Sequence, residues 1–445
     1  MNFFWRELHR SHRFLAWLKG WMHRRFTRTG LAVLGALTVA AVLGTDTDNS
    51  VAYQAFTLLV FLLLLALLLS LRFKLRYTAT RQLPRFATAG QTFGYRVRVN
   101  GLGAKALRGL TVMERPANPL PTFQEWLAQK RADSRKTRSF RVSPSRNPWL
   151  MARTKEAPLP PTVPGQEAEA RIEVTPLRRG VLRLEGLALA RPEPLGLMRA
   201  LASVSLPQTV PVLPRRYPIP MLALPGTMKY QEGGVTQASN VGQSDEFVSL
   251  RDYRHGDPLR HIHWRSWAKA GKPIVKEFED EFFVRHALVL DTFIDVPHSE
   301  LFEEAVAVAA SFACSVLTQE SLLDLLFVGA QAYCFTAGRG LAHSTQLLEV
   351  LAGVRPCTDQ PFRTLEPLVL NHITSTSGCV CVLLAWDGER QEFVRKLKLL
   401  GLPLLVLVLV DASQKTELDP GPLQDEIGSF HVLEVGKIEA GLARL

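Results

Sequence analysis

Cysteine is scarce in this 445-residue chain. There are five, Cys314, Cys334, Cys357, Cys379 and Cys381, an odd number with no C-x-x-C pair among them. That argues against a disulfide framework or a cysteine-built zinc site, and it fits a reducing compartment. Two apart in an apolar run, Cys379 and Cys381 would share one face of a strand, as packing residues do. A nucleophile elbow and a phosphate-cradling glycine loop are also missing, so the sequence carries no catalytic motif and is read as non-enzymatic. Acid is nearly absent from residues 1–28, which hold seven Lys or Arg and one Glu. The net charge of +12 sits mostly in residues 1–86 (twelve bases, three acids) and 120–156 (nine bases, three acids). The rest is near neutral, which excludes a nucleic-acid-binding body.

What is present begins with the membrane. Val51 to Leu71 is a run of 21 residues with no charge, and a bilayer core needs about 20. Thr29 to Gly44 is shorter and richer in Gly and Ala. Basic flanks surround the pair, and the loop between them holds Asp46 and Asp48. Such a charge pattern predicts a hairpin with spans at about 29–44 and 51–71, both termini cytoplasmic. Before it, Arg6, Arg10, Arg13 and Trp17 recur at helical spacing, the pattern of an amphipathic helix lying on anionic lipid.

From residue 77 to about 230 short alternating runs such as Phe93–Val99 and Val181–Leu184, punctuated by Pro and Gly, predict a small β-sandwich. A basic, Pro-containing stretch at about 121–165 reads as a partly disordered insertion. From 284 to 445 strand and helix patterns alternate, which predicts a doubly wound α/β domain with a mainly parallel sheet.

Between these lies the densest stretch. Ser244 to Glu281 holds eight acids, seven Lys or Arg, three His and two Trp, so 231–283 is set apart as its own segment. Asp257, Pro258 and Gly271 predict the cap, first turn and left-handed stop of one helix. His261 and His263 form an H-x-H pair that a helix would split to opposite sides, which disfavours shared metal binding.

The run Glu246, Arg251, Tyr253, Gly256, Asp257, Arg260, His263, Trp264, Lys276 and Glu277 resembles the signature of the domain-of-unknown-function fifty-eight family, bacterial membrane proteins with a von Willebrand factor type A-like domain. Arg179-Gly180-Val181 and Glu193-Pro194-Leu195-Gly196-Leu197 resemble further elements of that family. The resemblance implies a membrane hairpin, a β-domain and a C-terminal type A-like domain at the bacterial inner (plasma) membrane. It also implies a partner, a MoxR-type AAA+ ATPase acting in complex or envelope assembly. Type A domains place a Mg-type ion on an Asp-x-Ser-x-Ser motif and a distant acid. Here that motif reads Asp291-Thr-Phe293-Ile-Asp295, with Asp387 as the distant acid, a degenerate set because Phe293 removes an oxygen ligand. The expectation is therefore a membrane-anchored cytoplasmic adaptor or scaffold, with the signature as its interaction face. The alternatives are a metal-assisted hydrolase using the Asp/His cluster and a metal-dependent adhesion-type receptor facing outward.

Overall fold

The computed structural model describes residues 2–43, 50–103, 108–117, 120–136, 149–161, 163, 166–220, 247–257, 259–278, 285–318, 322–337, 341–373, 376–411, 418–426 and 428–445. Glu246 lies outside them, as do the side chains of Glu277 and Phe278. The fold is mixed α/β, with several sheets and ten helices among the described residues.

Three helices open the chain: α1 (Asn2–Arg25), α2 (Arg28–Leu43) and α3 (Ser50–Leu71). Val51–Leu71 is long and apolar enough to cross a membrane. At 1.5 Å per residue its 21 residues reach about 31 Å, the thickness of a hydrocarbon core. The 16 residues of α2, which packs beside α3, reach only about 24 Å.

Nine strands form the sandwich: β1 (Tyr77–Arg81), β2 (Ala87–Thr88), β3 (Phe93–Gly101), β4 (Leu110–Pro116), β5 (Ala152–Lys155), β6 (Ala157–Leu159), β7 (Glu167–Pro176), β8 (Gly180–Pro192) and β9 (Arg199–Leu213). One sheet runs β1-β3-β7-β5 and the other β2-β9-β8-β4-β6. Alternation sets the core. In β3 Tyr95, Val97 and Val99 are buried while Arg96 and Arg98 face out. Inside the sandwich Arg81 pairs with Glu114 at 2.5 Å with both side chains fully buried, and Tyr95 donates its hydroxyl to the same carboxylate.

The stretch read as a partly disordered insertion is built into the fold wherever it is described. It supplies β5 to one sheet, β6 to the other, and the helix α4 (Phe123–Lys136). Thr122 and Glu125 close a reciprocal capping box, with Thr122 N donating to Glu125 Oε2 at 2.9 Å and Glu125 N to Thr122 Oγ1 at 3.3 Å. Trp126 anchors the helix against α1.

After residue 247 come β10 (Phe247–Asp252), α5 (Trp264–Ala270) and β11 (Ile274–Phe278), with β10 and β11 paired antiparallel. The C-terminal layer holds β12 (Arg285–Leu290), α6 (Glu300–Thr318), β13 (Leu322–Val328), β14 (Ala332–Ala337), α7 (Leu341–Gly353), α8 (Leu365–Ile373), β15 (Gly378–Leu383), α9 (Gly388–Leu399), β16 (Leu404–Val410), β17 (Phe430–Glu434) and α10 (Ile438–Leu442). Its six strands are ordered β14-β13-β12-β15-β16-β17, parallel except for the antiparallel edge strand β14. Leu288 and Leu290 face one core with α6, α7 and α10, while Ala287 and Val289 face the other with α8 and α9. Cys379 and Cys381 lie side by side in that second core, sulfurs 3.6 Å apart.

Candidate functional site

The strand order reverses at β12, whose neighbours are β13 and β15. A ligand crevice in such a sheet lies beyond the carboxyl ends of the strands at this point. Asp291 ends β12 there and is fully buried. Its carboxylate accepts from Phe293 N at 3.0 Å, Leu384 N at 3.1 Å and Arg390 Nε at 2.6 Å. Arg390 also donates to Asp387 Oδ2 at 2.5 Å and lies over the Phe362 ring, 4.6 Å from its centroid. Asp387 is the N-cap of α9 and accepts from Arg390 N at 3.0 Å.

Two of the three acids expected to hold a cation thus meet, and a guanidinium lies between them. Burial pushes Asp291 up from the ordinary carboxylate range, with the Arg390 charge and the amide donors opposing it. Burial of Arg390 works against its charge, yet Asp291 and then Asp387 outweigh it and raise the guanidinium pKa. A guanidinium keeps its proton in proteins, so this is a charged, hydrogen-bonded pair. The third acid, Asp295, is exposed. Phe293, in place of a ligating Ser, packs edge-on against Phe362 at 5.6 Å. Among the described residues no group of three or more His, Cys, Asp or Glu is arranged to hold a metal ion. A hard cation wants several oxygens and a roomy polar cage. Here the lining is one aromatic wall and one arginine, so the residues present do not fit a Mg-type ion.

The signature forms a second centre around the β10–β11 hairpin. Arg251 grips Asp257 with two bonds of 2.7 and 2.8 Å, and Arg254 N adds a third at 2.8 Å. These donors, Arg251 first, hold the Asp257 pKa down at about 2. Asp257 is therefore not a helix cap. The expected single helix is split into a 3-10 turn, Leu259–His261, and α5, which starts after His263 with no side-chain cap. Gly271 does end it in the left-handed region, at φ 69°. Gly256 has φ 106°, a conformation that costs any residue with a Cβ. Lys272 pairs with Asp252 at 2.6 Å, and Tyr253 N donates to Pro273 O at 3.0 Å. Lys276 is half-buried opposite Leu250.

His261 and His263 flank Ile262, which is buried against Val275. His263 Nδ1 bonds Ser266 Oγ at 2.6 Å. The outer surface carries Leu259 (68% exposed) and Trp264 (64% exposed), with Trp264 stacked on Trp267 at 5.2 Å. Arg260, Arg265 and Lys269 are exposed alongside.

Among the described residues, the β7–β8 turn ties the sandwich to the α/β layer. Arg179 donates to Leu351 O at 3.0 Å and Val354 O at 2.6 Å, pairs with Glu303, and sits over the Phe302 ring. Arg178 bonds His298 at 2.9 Å. Desolvation first, then the Arg178 charge, lowers the His298 pKa to about 4. Tyr217 adds a bond to Ser311 Oγ at 2.8 Å and one to Glu304 at 2.5 Å.

The Glu193–Leu197 turn binds the start of α2. The Glu193 carboxylate accepts from the amides of Leu195, Leu197 and Met198. The shaped turn then receives Thr27 Oγ1 on Gly196 O at 2.6 Å and Thr29 Oγ1 on the same oxygen at 2.7 Å. A Cβ on Gly30 would collide with the Leu197 carbonyl.

Sequence reasoning missed Arg390, although a cation in the first turn of a helix opposes the helix dipole and is a detectable misfit. Arg179 and Glu193 stood within the motifs it quoted, but their partners are too distant in sequence to infer.

The family described as "Protein of unknown function DUF58" matches residues 249–421, from β10 to the turn after β16. "Uncharacterized protein YeaD" of Bacillus subtilis (strain 168) is 32% identical over 126 residues, 28% of this chain and 31% of that protein. The match thus spans about a third of that curated relative's length. Among solved structures, a "Cohesin module from Clostridium perfringens ATCC13124 family 33 glycoside hydrolase" aligns at 12% identity and a TM-score of 0.16, covering 31% of this chain and 98% of that one, and carries no argument.

Proposed function

We propose that this protein is a membrane-anchored adaptor of the bacterial inner membrane. In this reading α2 and α3 cross as a hairpin, both termini face the cytoplasm, and the signature segment is the docking face. The charge asymmetry around the two apolar helices supports that topology. The six-stranded layer is read as von Willebrand factor type A-like, supported by its strand order and antiparallel edge strand.

The observation that carries the adaptor reading is the surface of the signature. Its acids Asp252 and Asp257 are consumed by internal ion pairs, while Leu259 and Trp264 are left on the outside. Exposed apolar groups rimmed by charge mark interaction sites, and Trp is enriched at binding hot spots. The metal-assisted hydrolase loses ground because Arg390 holds Asp291 and Asp387. The partner implied by the family resemblance is a MoxR-type AAA+ ATPase.

The test uses the full chain in nanodiscs with a MoxR-type AAA+ ATPase from the same bacterium. Binding measured by mass photometry, together with altered ATP turnover, is expected. Trp264→Ala should weaken binding by about 2 kcal/mol or more if Trp264 is a hot spot. No association by the wild type would sink the reading.

A further inference from the structure

The face of α1 turned to the protein carries Trp5, His9 and His12, all packed on Trp126 of α4. His9 Nε2 also reaches Pro121 O at 3.2 Å. Beside this seam a cleft of about 410 Å³ opens between α1 and the start of α4. Arg6, Arg10 and Arg13 line one wall, with Thr122 and Phe123 opposite. The volume suits a small headgroup, since ligand sites begin near about 300 Å³.

The charge in this cleft is poorly neutralised. Arg10 pairs with Glu7 at 2.7 Å. Neither Arg6 nor Arg13 has a carboxylate partner among the described residues, and the Arg6 guanidinium lies 5.9 Å from the Phe123 ring centroid. At the start of α4 the Thr122 and Glu125 amides are engaged by their own box, and the positive charge of the cleft comes from the guanidinium groups. Guanidinium forks match phosphate oxygens.

Two features separate a lipid from a soluble anion. One turn along the same stripe stand Phe14 (58% exposed) and Trp17 (56% exposed), rings 6.0 Å apart. Aromatic rings with one apolar and one polar side favour the headgroup level of a bilayer. The helix then leads through Phe26 and Thr27 directly into α2.

We propose that the cleft between α1 and α4 holds the phosphate of an anionic phospholipid, with Phe14 and Trp17 against its glycerol and upper acyl region. This rests on the reading that α2 and α3 span the bilayer. The cleft would fix a lipid at one place on the body, beyond the diffuse attraction of a basic helix.

The probe is phosphatidylglycerol. Full-length protein purified in neutral detergent is mixed with phosphatidylglycerol and phosphatidylcholine, and retained lipid is counted by native mass spectrometry. Wild type should keep one phosphatidylglycerol in preference to phosphatidylcholine. At about 1 kcal/mol per basic residue, R6Q/R10Q/R13Q should lower retention about a hundredfold. K19Q/R24Q/R25Q removes the same charge from the same helix and should leave retention unchanged. Equal loss in both triple variants would reduce the effect to general surface charge and overturn the site. So would a wild type that retains no lipid, or displacement of the lipid by millimolar inorganic phosphate, which would make the cleft a soluble-anion site. Carbonate washing of membranes tests the spanning reading separately. R6Q/R10Q/R13Q should stay in the pellet while losing its lipid, whereas extraction of the wild type would overturn the spans.

Discussion

Arg390 shows how one side chain can settle what a crevice is. Its cation occupies the first turn of α9, where the dipole disfavours it, and gains Asp291, Asp387 and the Phe362 face in exchange. Removing one partner of a buried pair strands the other. Arg390→Ala should therefore cost about 3–5 kcal/mol, seen as a lower urea midpoint for the full chain in detergent. Arg390→Lys should recover only part of it, because an ammonium lacks the fork. An unchanged midpoint in Arg390→Ala would mean the pair contributes nothing. His298 gives a pH signature at the same scale. Its folded pKa of about 4 lies below the ordinary histidine value of 6.5, so the unfolded chain binds the proton first. Stability from this group is complete above about pH 6.5 and is lost as pH falls towards 4. Replacing it by His298→Phe should flatten the melting temperature against pH in that window.

At the scale of elements, the strongest patterns were the legible ones. The strand at 404–410 is a continuous apolar run, and those at 285–290 and 322–328 are apolar but for Arg285, His286 and Asp324, as strands buried on both faces tend to be. Helix α6 shows its apolar face and its acidic first turn in sequence alone. What failed to show is local structure decided by distant partners. Polar α4 reads as loop because its large anchor Trp126 is buried by α1, a contact more than 100 residues apart in sequence. Asp257 has the right spacing for a cap, but the bidentate Arg251 outcompetes a backbone amide. The Glu193 turn is the element to test. Glu193→Ala leaves three amides without their acceptor, and each buried unsatisfied donor costs about 1–3 kcal/mol. Hydrogen exchange at Leu195–Met198 should accelerate at least tenfold, while the β12–β16 layer keeps its protection. No change in exchange there would mean the carboxylate does not shape the turn.

At the scale of the whole molecule, periodicity made the mixed β and α/β composition readable, and charge made the apolar helices stand out. How the units meet was not readable, because Arg179, Arg178 and Tyr217 each find partners more than 80 residues away. Arg179→Ala should leave Glu303 and two carbonyls unmatched and loosen the contact between sandwich and α/β layer. Deuterium uptake in α6 and α7 should rise while β3 and β7 stay protected. Uptake rising equally in the sandwich strands would indicate general unfolding, and the joint would have to be sought elsewhere.

The clasp at Thr27 and Gly196 has a mechanical corollary. Since the sandwich holds the stalk by its neck, and Arg179 bolts the next unit to the sandwich, torque applied at the far end would travel as through a lever. Under the proposed reading, a partner pulling there would tilt α2 and α3 within the bilayer, where a slack tether would have absorbed the stroke.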